Sequence, residues 1–100
     1  MESLPIACSL TDAELLQRRQ TLLLKVRGAV VEVSELADGY AYQLPGDEEW
    51  LATIASMINL ERQCCPFLTF QMTVEPGGGP VWLALTGPGG TKEFLSSTFS

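Results

Sequence analysis

The chain predicts an α+β domain in which helices cover one side of a single sheet. Three observations carry this. Apolar residues recur at helical spacing in two long stretches and at alternate positions in several short ones. Turn and capping residues punctuate the boundaries between them. The resulting order, β-α-β-β-α-β-β-α, is neither all-helical nor a repeated βαβ alternation.

The first strand is expected over Leu4–Cys8. In Leu10-Thr11-Asp12-Ala13-Glu14-Leu15, Thr11 is the expected helix cap. Glu14 completes a capping box, and Leu10 and Leu15 supply the hydrophobic staple. The helix should run to about Val26 and stop at Gly28. A β-rich stretch follows over Ala29–Leu36, with Asp38-Gly39 as a two-residue hairpin turn and a return strand over Tyr40–Leu44. In that register Val33 faces Leu44 and Glu35 faces Tyr42. Asp47 caps a second helix whose inward stripe is Leu51, Ile54, Ala55 and Ile58, and Pro66 ends it. Leu68, Phe70, Met72 and Val74 alternate with Thr69, Gln71 and Thr73, a half-buried strand. After the loop Pro76–Pro80 comes a strand over Val81–Thr86. A short helix capped by Thr91 and buried through Phe94, Leu95 and Phe99 closes the chain.

The first six elements fit the split-βαβ, ferredoxin-like sandwich, extended by a C-terminal strand and helix. Right-handed crossovers then favour the strand order 4-1-3-2. That order places the end of strand one, Cys8, beside the start of strand four, Cys64-Cys65.

One hundred residues form a single domain, 1–100, and 46% apolar against 18% charged residues makes it globular. Twelve acids against six bases give a net charge of −6, which argues against nucleic acid and against an anionic membrane surface as partners. No apolar run approaches the ~20 residues of a membrane span. The opening MESLPIACSL lacks a basic leader region, so a cytoplasmic protein is expected. Three cysteines, an odd number, argue against a disulfide framework.

The chemistry concentrates in Glu61-Arg62-Gln63-Cys64-Cys65-Pro66-Phe67 together with Cys8. Thiolates suit Cu(I), Zn(II) and Hg(II). A tetrahedral zinc site needs four ligands and the chain has no histidine, so Glu61, one helical turn before the thiols, is the added candidate. Cu(I) or Hg(II) is satisfied by two or three sulfurs. Adjacent strand residues point to opposite faces, so without a kink only one of Cys64 and Cys65 can face Cys8. A bridge from Cys8 to either is easier than one between neighbours. A thiol redox enzyme or sensor is the alternative, with Arg62 or Arg19 lowering a thiol pKa. An interaction module with packed core cysteines is the third reading. Catalysis is not the leading expectation.

Arg19 falls in the middle of the apolar face of the first helix. Snorkelling of its head to water is the first expectation, pairing with a buried acid the second. Glu61 and Arg62 both continue the inward side of the second helix. The turn Thr86–Lys92 is glycine-rich but lacks Walker spacing, so an ordinary strand-to-helix turn is expected. A sheet covered on one side leaves the other open to homodimer formation; no protein partner is identifiable.

The stretch ERQCCPFLTFQMTVEPGGGPVWLALTGPGGTKEFL resembles a group of small bacterial proteins of unassigned function that share an E-R-x-C-C-P-F run and an L-T-G-P-x-G-x-K-x-F-L ending. The likeness extends to IACSLTDAEL at the start. It implies a bacterial source and, since the group has no assigned activity, supplies no catalytic residues. A weaker likeness, to heavy-metal-associated domains that carry copper or mercury, rests on the βαββαβ order and a thiol at the end of strand one. Those domains use C-x-x-C, whereas this chain has one cysteine there.

Overall fold

The structure, a computed structural model, describes residues 11–99, with the backbone alone for Phe99. The elements are α1 (Ala13–Ala29), β1 (Glu32–Leu36), β2 (Gly39–Leu44), α2 (Glu48–Cys64), β3 (Thr69–Val74), β4 (Val81–Thr86) and α3 (Thr91–Phe99). This is the expected α+β class. The strand expected over Leu4–Cys8, Cys8 included, lies outside the described residues, as does the side chain of Phe99.

Asp12, not Thr11, caps α1: its carboxylate accepts from the Leu15 N–H at 3.0 Å. Both residue types cap well, but a carboxylate also meets the positive end of the helix dipole. The helix runs through Gly28 to Ala29 and so passes the expected stop. Asp47 caps α2 as expected, accepting from the Trp50 N–H at 3.0 Å.

The hairpin turns one residue earlier than expected. Leu36 pairs with Gly39, Glu35 with Tyr40 and Val33 with Tyr42, so Ala37-Asp38 form the turn. Gly39 is needed in the strand itself, because a Cβ there would collide with the Leu85 carbonyl oxygen of β4. The new register shifts both partners together, so side-chain parity is kept and the inward face survives.

The sheet order is β1-β2-β4-β3, antiparallel throughout. It replaces the expected 4-1-3-2. The place between β2 and β3 goes to β4, with Ala84 paired to both Ala41 and Gln71. The reason is local. A short loop with Gly77 and Gly78 at positive φ folds β4 straight back onto β3. Val81, Leu83 and Leu85 are fully buried, as befits a central strand.

Leu23 and Val26 of α1, Ile54 and Met57 of α2 and Leu95 of α3 pack on Tyr42, Leu44, Val81, Leu83 and Leu85. The helices thus cover the two central strands. Val33, Met72 and Val74, on the same face of the edge strands, remain exposed. The opposite face carries half-buried Ala41, Gln43, Trp82 and Ala84. Thr91 begins α3 inside the helix and is buried, with no hydrogen-bond partner for its hydroxyl among the described residues. No helix among the described residues is long and apolar enough to cross a membrane.

Candidate functional site

The inward stripe of α2 is Ile54, Met57, Leu60, Glu61 and Cys64; Ala55, expected to face inward, is exposed. Glu61 stands seven residues after Ile54 and three before Cys64, so helical geometry places a carboxylate in the apolar seam. Its side chain has no exposure at all.

Pro66 ends the helix, and Cys65 becomes its cap with φ −121° and ψ 72°. That conformation is neither helical nor fully extended, as suits a residue before proline. The Cys65 N–H still donates to the Glu61 carbonyl at 2.6 Å, and the Leu68 N–H donates to the Cys65 carbonyl at 3.1 Å. The chain therefore kinks within three residues. This kink removes the strand rule that would send neighbours to opposite faces, and both Cys64 and Cys65 are wholly buried.

The Glu61 carboxylate bridges two donors. Arg19 of α1 donates through Nε to Oε1, and the Cys65 thiol donates to Oε2 at 3.9 Å. Arg19 thus pairs with a buried acid and does not snorkel. Its side chain is 13% exposed, the one member of this group that reaches the surface. Arg62 takes no part: it is exposed and donates to Asn59 Oδ1 at 3.1 Å. The second helix turns it away because it lies one position, about 100°, beyond Glu61.

Burial pushes the Glu61 carboxyl above its ordinary range, with the bond and charge of Arg19 pulling against it. Burial also pushes the Cys65 thiol up to about 12; the Glu61 charge adds to this and Arg19 opposes it. The lowering of a thiol pKa by arginine is therefore present but outweighed at Cys65, which is a protonated donor at neutral pH.

Glu61, Cys64 and Cys65 form a group whose ligand atoms all lie within 4.8 Å of one another. Cys65 is free, while Cys64 is disulfide-bonded. The two neighbours are thus in different states. As the structure stands, the group offers one thiol and one carboxylate; reduction of Cys64 completes it.

The fold and site define a helix-on-sheet α+β protein with a buried thiol–carboxylate–guanidinium cluster. No family model matches the chain, and no curated protein or solved structure matches it either.

Proposed function

We propose that this protein binds a soft metal ion through Cys64, Cys65 and Glu61, with Cys8 as a further candidate thiolate. The observation that carries the reading is the convergence of two sulfurs and a carboxylate oxygen within 4.8 Å in a fully buried position. Charge favours a divalent ion. Arg19 already offsets Glu61, so two thiolates and one dication leave the buried cluster neutral, whereas Cu(I) leaves it one charge short. Hg(II), which two sulfurs satisfy, meets both conditions, and Zn(II) meets the charge condition with Glu61 and a further ligand. In this reading the sandwich is a variant of the ferredoxin-like layout, and the protein is a binder in the bacterial cytoplasm, not an enzyme.

The test is a competition titration of the reduced protein with Hg(II) and Zn(II) against a chromophoric chelator. One ion should bind per chain. Cys65→Ser should weaken binding by more than about 100-fold, and Glu61→Gln by at least the ~10–100-fold that loss of a mere ligand-orienting group costs. Unchanged affinity in both variants contradicts the proposal.

The disulfide at Cys64 favours a second reading, a thiol redox protein. The high pKa of Cys65 weighs against it, since the thiolate is the attacking species. Rapid re-formation of the Cys64 disulfide after stoichiometric peroxide, faster than for a free thiol, would favour this reading over the first.

A further inference from the structure

A site with three fully buried ligand residues needs an entrance. Among the described residues, a cavity is lined by Arg19, the side chain that holds Glu61. It has a volume of about 270 Å³ and lies between α1 and α3, walled by Arg19, Leu23, Leu24 and Arg27 of the first and Phe94 and Thr98 of the second. Arg19 is the lining residue that this cavity shares with the buried cluster. The same side chain that faces the cavity holds Glu61 and lies beside Cys65. Phe94 meets Phe67 edge-on with ring centres 5.2 Å apart, which sets the rear wall against the residues that follow Cys65.

The charge of this cavity is unusual for the chain. Arg19 and Arg27 line it, and no acid among the described residues does. Glu61 offsets Arg19, which leaves Arg27 as the lining cation with no ion pair among the described residues. A low-dielectric cleft with one sign of charge concentrates the opposite ion and repels its own. A hydrated dication is therefore disfavoured at this mouth, and a small anion is favoured.

We propose that the α1–α3 cavity is the entrance to the buried thiols, that Arg19 is its gate, and that the soft metal arrives as a small anionic complex, such as a complex with carboxylate-bearing thiols. The identity of the cargo rests on the metal-binding reading; the route does not. Ligand exchange then transfers the ion to the protein sulfurs, with the incoming thiolates leaving protonated by the protons that the protein thiols release.

The route is tested without metal by alkylation of Cys65 in the oxidised protein, followed by peptide mapping. Iodoacetate is anionic and iodoacetamide neutral; each forms a thioether on Sγ, expels iodide, and leaves the thiol proton to the buffer. With rates expressed relative to free cysteine, iodoacetate should be preferred by about tenfold. Arg27→Glu should remove that preference. Leu24→Trp, at a position 54% exposed and so compatible with folding, should slow both reagents severalfold by plugging the mouth. Arg19→Lys, which keeps the charge but loses the planar fork, should speed both. Rates insensitive to Leu24→Trp, or a preference unchanged by Arg27→Glu, overturn the entrance. Failure of the reduced protein to bind Hg(II) or Zn(II), with the labelling pattern intact, removes the metal and leaves the route.

Discussion

Among the described residues two ion pairs tie helices to their neighbours, and they teach opposite lessons. Arg19–Glu61 joins α1 to α2 with side chains 13% and 0% exposed. Lys92–Glu35 joins α3 to β1 at 2.9 Å, with side chains 29% and 62% exposed. The contact type is the same. Around the first, water has been removed, so each charge depends on the other and on the neighbouring thiol. Around the second, water and salt do much of the same work, and Lys92 also lies 5.5 Å from the centre of the Tyr40 ring. Burial, not contact, makes the first pair a structural commitment, and it is the buried pair that sits beside the cysteines.

The largest expected effect comes from breaking the buried pair on one side. Arg19→Ala leaves the Glu61 carboxylate sealed without its partner and should cost about 3–5 kcal/mol in urea unfolding. Replacing both residues by leucine should recover most of that loss, because no charge is left stranded. A single-variant loss below about 1 kcal/mol would place Arg19–Glu61 in the same class as a surface pair.

The next effect is alkaline. The Cys65 thiol, ordinarily near 9.0, is raised to about 12 in the fold. A raised folded pKa gives stability that is complete below the unfolded value and lost as pH climbs to the folded one. The protein should therefore weaken between pH 9 and 12, by about 4 kcal/mol at most at 1.36 kcal/mol per unit. Tyr42, raised from 10.0 to about 12 by burial and by Tyr40, adds to the upper part of that window. Unfolding curves at stepped pH should show a shallower decline in Cys65→Ala, and shallower again with Tyr42→Phe. An unchanged slope in the double variant would mean that other groups govern the alkaline limb.

The smallest effect belongs to the exposed pair. Lys92→Ala should move the unfolding midpoint no further than an ordinary surface substitution, and the difference should vanish in about 1 M salt. A loss comparable with that of Arg19→Ala would erase the contrast between the two pairs.

Much of the local structure can be read from single residues. Asp47 caps α2, Pro66 stops it, and the alternation through β3 is plain in its side chains. What resisted reading was the pairing of elements. The run Val81-Trp82-Leu83-Ala84-Leu85 is apolar at both parities, which suits a strand with little water on either face, whereas Leu68–Val74 alternates as a strand with one wet face does. That contrast could have placed β4 in the centre; handedness rules for crossovers pointed elsewhere. The site was half legible. Cys64, Cys65 and Glu61 stand together as their spacing suggests. Arg19 and Glu61 each interrupt an apolar stripe, one per helix, and opposite charges in two facing stripes are the signal of a buried pair. Taken alone, Arg19 resembled a side chain at the core edge, and Glu61 a candidate ligand beside the thiols. The kink at Cys65 follows from Pro66, but its result, two neighbouring cysteines both buried, needs the three-dimensional turn.

The most direct measurement is the native mass of the reduced protein after one equivalent of Hg(II) or Zn(II), in parallel with Cys65→Ser. A single-ion adduct that survives a competing chelator in the wild type and is lost in the variant is the predicted result. A bare mass in both, with the protein folded and its thiols free, would contradict a metal site at Glu61, Cys64 and Cys65.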